Sequence, residues 1–235
     1  MSKKLIFYKL KKFEKNTHLR KACWILTNCY SAVSYFHEIY KILRKKEKGG
    51  TTAEQQNLLR AMLLFSAAGL DAVVKQVIRD SLEMVISKDS GAKEMFKSYV
   101  ESRIKKVELI ESTPREVVTI NTKFLSEVLT DNNPQKKLII DMVDKLTGDS
   151  LQSVDQLLRI AAYFAIPREK IIKNLNLAKD VFIARNQITH EMDVNLEQIR
   201  CNRRQRSQKD MALYTNTINE ISWLFIENIF KKIST

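Results

Sequence analysis

One short stretch, residues 181–193 (VFIARNQITHEMD), brings together the side chains best suited to acid–base chemistry on a phosphodiester. On a helix, His190 shares a face with Asn186, which lies four residues earlier. Arg185 is about 100° further round the helix, and its long side chain can reach the same patch. A guanidinium binds phosphate oxygens in a fork, and an imidazole moves protons near neutral pH. The spacing therefore predicts a catalytic site made of Arg185, Asn186 and His190.

This predicted site has a single titratable group, the His190 imidazole. Cleavage of a phosphodiester is served best by an acid and a base on opposite sides of phosphorus. A second copy of the chain would supply the missing group. The stretch therefore predicts a homodimer in which two copies share one composite site.

Asp71 is an acid in the middle of an apolar stretch, residues 61–78 (AMLLFSAAGLDAVVKQVI). A carboxylate among apolar residues needs a partner or an edge position, because burying an unpaired charge is costly. Asp71 could orient Arg185 or His190 in the site. Alternatively, it could pair locally with Lys75, and the sequence leaves both interpretations open.

The densest basic run follows the motif directly, at residues 195–210 (NLEQIRCNRRQRSQKD). On a helix, three of its arginines would share one face. The run is either a solvated surface or a track that binds RNA phosphates beside the motif, and the sequence favours neither. The candidate RNA-binding residues are Arg200, Arg203, Arg204, Arg206 and Lys209.

The composition favours a helical protein with a polyanionic partner. Of 235 residues, 44% are hydrophobic, but only five are glycine and three are proline. All-β folds need many glycine- and proline-rich turns, so this scarcity predicts long helices. The formal net charge of +13 favours nucleic acid, since a large positive surplus attracts polyanions. Solubility alone is the simpler explanation, and membrane surfaces and acidic proteins also attract basic chains.

The remaining features predict a cytoplasmic protein without metal or cofactor. Three cysteines with no CxxC pair indicate neither a disulfide framework nor a zinc site. The N-terminal stretch is interrupted by lysines and lacks the apolar core of a signal peptide. The most apolar run, AMLLFSAAGL, ends at Asp71 and is too short to span a bilayer. We therefore expect no membrane partner.

Apolar residues recur at three- and four-residue steps along most of the chain, as on amphipathic helices. Helices are predicted at residues 17–48, 51–87, 92–111, 115–130, 135–146, 154–166 and 167–175, around the motif, and at 212–233. Thr51 or Thr52 and Ser153 are expected to cap helices, and Pro114 to separate two of them. The pattern predicts a single all-α domain, 1–235, folded as an up-and-down bundle with additional helices in the middle. Residues 88–150 could form an inserted helical subdomain.

Arg185-Asn186 and His190, in IARNQITHE, resemble the R-x4-6-H motif of HEPN domains. This all-α family is rich in ribonucleases of toxin, anti-phage and RNA-surveillance systems, and a polar residue, often asparagine, follows its arginine. The order of elements is also similar. An early buried helix with small residues and an acid precedes a late motif helix, and a long amphipathic helix follows. The resemblance covers residues 51–87 and 150–233, and the fold it implies is a HEPN-like bundle.

The resemblance implies a metal-independent endoribonuclease that works as a homodimer, with the two motifs facing each other. His190 would activate the ribose 2′-OH or protonate the leaving 5′-oxygen, and Arg185 would hold the scissile phosphate. Asn186 would position the phosphate or His190. The product would carry a 2′,3′-cyclic phosphate, and DNA would be spared. Anti-phage defence or a toxin-type system is the expected setting, with a partner protein that inhibits or activates the enzyme.

Two other functions stay open at this point. The chain could be a non-catalytic HEPN-like module that binds RNA or protein, with Arg185 paired to Asp71 or Glu191 within one chain. It could also be a helical DNA-binding or adaptor protein that uses residues 200–209 as its phosphate contact. Cleavage of RNA that depends on His190 separates the first function from both alternatives.

Overall fold

The computed structural model describes residues 4–46, 49–109 and 116–234. In this part of the chain, ten helices and one two-stranded antiparallel hairpin form around a single hydrophobic core. The protein is predominantly helical, as its low glycine and proline content predicts. The elements are α1 (Lys11–Glu14), α2 (Arg20–Lys46), α3 (Ala53–Lys88), α4 (Ser90–Ile104), β1 (Lys105–Leu109), β2 (Glu116–Ile120), α5 (Thr122–Leu129), α6 (Pro134–Gly148), α7 (Val154–Tyr163), α8 (Arg168–Ile171), α9 (Leu175–Glu191) and α10 (Gln208–Ser234).

Helix α3 is the central element, as its nearly continuous apolar sequence predicts. It contacts α2, α4, α6, α9 and α10 and is buried along most of its length. A Cβ added at Gly69 would collide with the Cys29 side chain of α2, so glycine allows these two helices to approach closely. By length and composition α3 could also cross a bilayer, but 56% of its apolar window is buried in the bundle. The position of α3 in the core accounts for its apolar composition.

Two helix starts follow the sequence prediction closely. The Thr52 side chain accepts a hydrogen bond from the Gln55 backbone N–H, and the Gln55 side chain accepts one from the Thr52 backbone N–H. Ser153 and Gln156 form the same reciprocal arrangement at the start of α7. Each arrangement satisfies backbone N–H groups that the first turn of a helix leaves unpaired. Ser153 thereby fixes the segment that lies against the motif helix.

The hairpin is the main departure from the predicted helices. The sequence predicts helices at 92–111 and 115–130, whereas α4 ends at Ile104 and α5 begins at Thr122. Between them β1 pairs antiparallel with β2, in a register that places Lys105 opposite Ile120. Four consecutive β-branched residues, 117–120, favour an extended strand over a helix. The predicted boundary at Pro114 lies outside the described residues.

The region 88–150 is not purely helical, because it contains this hairpin. Its helices α4 and α6 nevertheless pack directly on α3. Ala92 and Tyr99 of α4 and Ile139 and Met142 of α6 belong to the same hydrophobic core as the rest of the bundle. This shared core ties the middle of the chain to the helix that also supports the motif.

Candidate active site

Helix α9 carries the motif and presents it on an exposed face. Its first turn is capped by the Asn174 side chain, which accepts a hydrogen bond from the Leu177 backbone N–H. The inner face packs on α10 and α3 and contains Ala178, Val181, Phe182, Ala184 and Ile188. The opposite face leaves Ile183 and His190 exposed and Arg185 and Asn186 half-buried. The apolar stripe thus directs the predicted catalytic side chains outward.

The structure brings Arg185 and Asn186 into direct contact. Arg185 donates from Nη1 to Oδ1 of Asn186 at 2.8 Å, and Asn186 donates from Nδ2 to the Gln152 backbone oxygen at 3.1 Å. The Nε and Nη2 donors of Arg185 have no hydrogen-bond partner within the described chain. They remain available for a phosphate, which a guanidinium binds through two parallel hydrogen bonds. Asn186 therefore orients the arginine and also anchors the motif helix to the segment before α7.

His190 lies one helical turn beyond Asn186 and is exposed. Across the described residues its imidazole has no hydrogen-bond partner. The other two histidines differ. His18 binds the Asp80 backbone oxygen through Nδ1 at 2.6 Å, whereas His37 is buried. Burial lowers the pKa of His37, and Lys41 lowers it further. His190 is thus the histidine with both ring nitrogens open to a substrate.

Within the described chain Asp71 contacts neither Arg185 nor His190, so the structure gives no support to the interpretation that it orients them. Its Oδ1 accepts a hydrogen bond from the Leu151 backbone N–H at 2.7 Å, and its Oδ2 pairs with Lys75 at 3.0 Å. The local pairing with Lys75 is therefore the interpretation that the structure shows. Because Leu151 precedes Gln152, Asp71 and Asn186 hold neighbouring residues of the same segment. A cleft of about 210 Å³ between α3, α6 and α7 lies beside this segment and is lined partly by Asp71 and Lys75.

The turn that ends the motif helix has an unusual backbone. Met192 and Asp193 have φ values of 52° and 61°, both left-handed, and neither is glycine. A left-handed residue with a side chain persists only where its surroundings hold it. The Asp193 backbone N–H donates to the Gln187 oxygen at 2.9 Å, but the main restraint is the Asp193 carboxylate.

That carboxylate is fully buried between two arginines. Oδ2 of Asp193 lies 2.7 Å from Nε of Arg60 on α3, and Oδ1 lies 2.5 Å from Nη2 of Arg206. The same Arg206 nitrogen also donates to Oε1 of Gln187 at 2.8 Å. We call Arg60, Asp193 and Arg206 the Asp193 cluster. It joins α3, the end of α9 and the segment before α10.

Sequence reasoning missed Arg60 and Asp193. One signal was present, because Arg60 interrupts the apolar run LLRAMLL inside the most buried helix. A cation in such a run needs a buried partner. No spacing rule could name Asp193 as that partner, since the two residues are 133 positions apart.

Residues 195–207 of the basic run form an irregular loop and not the helical face that the sequence suggested, whereas Lys209 lies in the first turn of α10. Two of the run's five predicted RNA-binding cations form internal ion pairs: Arg204 pairs with Glu191 at 2.8 Å, and Arg206 pairs with Asp193 in the Asp193 cluster. Arg203 donates from Nε to the Met192 oxygen and from Nη1 to Asn57. Arg200 and Lys209 are exposed, and neither has an ion pair within the described chain. A continuous phosphate track along this loop is therefore not formed.

No protein-family model, curated protein or solved structure matches this chain. Within the described residues, no group of three or more His, Cys, Asp or Glu side chains is placed to hold a metal ion. The candidate site consists of residues of α9 and of the loop that follows it. They provide the His190 imidazole and the Arg185 guanidinium, which is partly engaged by Asn186, and the loop adds further arginines nearby.

Proposed function

We propose that this protein is a homodimeric endoribonuclease of the HEPN type. The supporting observation is the exposed, unbonded imidazole of His190, one helical turn from an Arg185–Asn186 pair whose guanidinium keeps free donors. The predominantly helical fold and the net charge of +13 agree with such an enzyme. Anti-phage defence or a toxin-type system is the setting we propose.

In this proposal two copies place their α9 faces against one cleft. The His190 imidazole of one copy takes the proton of the ribose 2′-OH, and the 2′-oxygen forms a bond to phosphorus. The bond from phosphorus to the 5′-oxygen breaks, and the second imidazole gives that oxygen a proton. Arg185 holds the non-bridging oxygens and stabilises the charge that develops on them. The products are a 2′,3′-cyclic phosphate and a 5′-hydroxyl.

The decisive experiment measures cleavage of single-stranded RNA in EDTA by the wild type and by His190→Ala. We expect the variant to lose on the order of 10²–10⁴-fold in rate, because a general acid–base group contributes about that much. Asn176→Ala is the matched control, since Asn176 is exposed on the same helix, away from the motif. An RNA with one 2′-deoxy nucleotide at the cleavage position should resist cleavage there. Equal rates for wild type and His190→Ala would overturn the proposal.

A mixing experiment tests the composite site. Wild type is incubated with increasing His190→Ala protein, with RNA in large excess over both so that competition for substrate is negligible. If both imidazoles are needed, mixed dimers are inactive, and activity should fall towards the fraction of dimers that are wholly wild type. A monomeric enzyme would show no loss of activity. The ionic strength is held fixed throughout, because binding to RNA depends strongly on salt.

A non-catalytic HEPN-like module is the second candidate, and one contact favours it. Asn186 is engaged with the Gln152 backbone, so part of the motif has a structural use within one chain. The intrachain pairing expected for such a module is not present in the described structure, because Asp71 pairs with Lys75 and Glu191 with Arg204. RNA binding without any cleavage, unchanged in His190→Ala, is the result that this candidate predicts.

A further inference from the structure

The loop after the motif is closed at its base and projects from the bundle as one unit. Val194 forms an isolated antiparallel bridge with Arg203, and the Asn195 backbone N–H donates to the Asn202 oxygen at 2.9 Å. The Arg204 backbone N–H donates to the Asp193 oxygen at 2.7 Å. We call residues 194–205 the 194–205 loop. Its base is thus held by backbone hydrogen bonds, and its last bond reaches the residue at the centre of the Asp193 cluster.

This loop contains an open pocket of about 490 Å³ with a uniform lining. Every residue that lines it carries either a carboxamide or a guanidinium, and none is acidic or apolar. These residues are Asn195, Gln198, Asn202, Arg203, Arg204 and Gln205. Within the described chain, the side-chain amides of Gln198, Asn202 and Gln205 have no hydrogen-bond partner. Three free carboxamides in one pocket can each offer a donor and an acceptor to the same ligand.

A nucleobase is the ligand that this lining fits. Proteins recognise unpaired bases by hydrogen bonds to their edges, and asparagine and glutamine pair with such edges through two bonds. A guanidinium can stack on a base or hold its phosphate. Arg204 keeps free Nε and Nη2 donors, since only its Nη1 meets Glu191 and the Val194 oxygen. The pocket can therefore read a base and also contact its phosphate.

The pocket lies close to the motif because Glu191, at the end of the motif helix, contacts one of the residues that line it. Glu191 follows His190 directly in the chain, and its carboxylate is 2.8 Å from Nη1 of Arg204. One residue, Glu191, therefore links the His190 residue to the pocket wall. At the rim of the loop, Leu196 and Ile199 are exposed. Apolar side chains at such a rim can cover the face of a base that has left its stack.

We propose that the 194–205 loop receives one unpaired nucleobase of single-stranded RNA next to the scissile phosphate and selects it through its free carboxamides. This inference rests on the proposed ribonuclease function and adds the source of its sequence preference. Paired bases do not present these edges to a pocket, so duplex RNA is excluded from it.

The test uses full-length His190→Ala protein, so that RNA is bound and not cut. Fluorescence anisotropy measures its affinity for 12-nucleotide A, C and U homopolymers and for a 12-base-pair RNA duplex. The variant tested adds Gln198→Ala and Asn202→Ala. The matched control adds Asn132→Ala, which removes an exposed carboxamide far along the chain, between α5 and α6. All of these changes leave the net charge untouched, so the salt dependence of binding should stay the same.

We expect the parent protein to prefer one homopolymer by about tenfold, the discrimination of a two-bond base contact. The Gln198/Asn202 variant should bind all three homopolymers within about twofold of one another, and the Asn132 control should keep the preference. Equal binding of all homopolymers by the parent protein, or a preference that survives in the variant, would overturn the inference. A preference for duplex RNA, or failure to bind any RNA, would also overturn it.

A second measurement does not depend on these variants. Cys201 lies in the loop and is exposed, whereas Cys23 and Cys29 are buried. Single-stranded RNA in the pocket should slow alkylation of Cys201 severalfold, and duplex RNA at the same concentration should not. An alkylation rate that no RNA changes would contradict the inference.

The two proposals fail in distinguishable ways. Absence of cleavage by the wild type removes the ribonuclease function, whatever the binding results show. A protein that keeps His190 and carries only Gln198→Ala and Asn202→Ala tests cleavage directly. If it still cuts at the same bases, the base-selecting role is removed and the ribonuclease function stands. Cleavage that moves to other bases while its rate persists supports both.

Discussion

Two groups of arginine and aspartate join different elements of the bundle, and they differ in burial. In the Asp193 cluster the side-chain exposures of Arg60, Asp193 and Arg206 are 5%, 0% and 15%. In the other cluster Arg103 of α4 meets Asp141 of α6 through two bonds of 2.8 and 2.9 Å, with exposures of 34% and 26%. The same residue types are thus buried away from water in the Asp193 cluster and partly exposed to water in the Arg103–Asp141 pair.

The difference in burial indicates different roles for the two groups: the buried Asp193 cluster fixes the turn after the motif, whereas the Arg103–Asp141 pair only joins α4 to α6. Water screens the Arg103–Asp141 pair and can replace either partner, so its loss should be tolerated. No water can replace Asp193 between two arginines, and loss of one partner leaves charges buried and unpaired. The dry cluster therefore makes the turn after the motif depend on all three members.

The largest expected effect is that of Asp193→Asn. This change keeps the shape and leaves Arg60 and Arg206 without their counter-charge, so we expect a loss of about 3–5 kcal/mol in the free energy of unfolding. Urea denaturation followed by circular dichroism measures it. If Asp193→Asn lowers the free energy of unfolding no more than Asp141→Asn does, burial does not decide how much each carboxylate stabilises the fold.

Asp141→Asn is the matched change in the partly exposed cluster. It removes the charge that accepts two bonds from Arg103 and one from the Tyr99 hydroxyl at 2.6 Å. Solvent compensates part of this loss, so we expect about 1–2 kcal/mol by the same urea denaturation. A loss as large as that of Asp193→Asn would erase the contrast.

The pH dependence of the Asp141 effect sharpens the comparison further. Burial alone would raise the pKa of Asp141, but hydrogen bonds from Arg103 and Tyr99 lower it below its ordinary value. Because the folded pKa is below the unfolded one, this stabilisation is complete above the unfolded pKa of about 3.9. It is lost as the pH falls further, through the folded pKa. The stability gap between wild type and Asp141→Asn should thus be full at pH 7 and shrink below pH 4.

The smallest expected effect is that of Glu191→Gln. Its partner Arg204 has 22% of its side chain exposed and Glu191 has 36%, so the pair is about as open as Arg103–Asp141. Glu191 accepts one side-chain hydrogen bond, however, where Asp141 accepts three. We expect a change of no more than about 1 kcal/mol in unfolding free energy. A larger loss would show that this pair, and not the Asp193 cluster alone, holds the base of the 194–205 loop.

Sequence reasoning located the long helices because their apolar periodicity is local information. The predicted helix at 17–48 is α2, and the one at 51–87 is α3, including its Thr52 cap. The hairpin was missed because residues 115–130 combine a β-branched run with a helical one, and the pattern does not show where one gives way to the other. Strand pairing between 105–109 and 116–120 is a contact between segments, which periodicity does not contain.

The candidate site divides in the same way. The motif spacing correctly placed Asn186 and His190 on one exposed face of a helix, which is a property of the helix alone. The role of Asp71 and the state of the basic run depended on tertiary partners. The sequence analysis named Lys75 as a possible partner of Asp71. It did not predict that Asp193 would be buried between Arg206 and Arg60, because Arg60 comes from a helix that is distant in sequence. Net charge counts the arginines and does not show which of them are already neutralised.

The left-handed pair at Met192 and Asp193 bears on whether this motif could be moved to another protein. A conformation that neither residue prefers is retained only while Arg60, on a helix far away in sequence, holds the carboxylate. Grafting residues 185–206 onto a different helical scaffold would therefore transfer the motif side chains without the left-handed turn that connects them to the 194–205 loop. The receiving protein would need an arginine at the position that corresponds to Arg60 on its own central helix. A transferable version of this motif therefore consists of one contiguous segment and one residue that is remote in sequence.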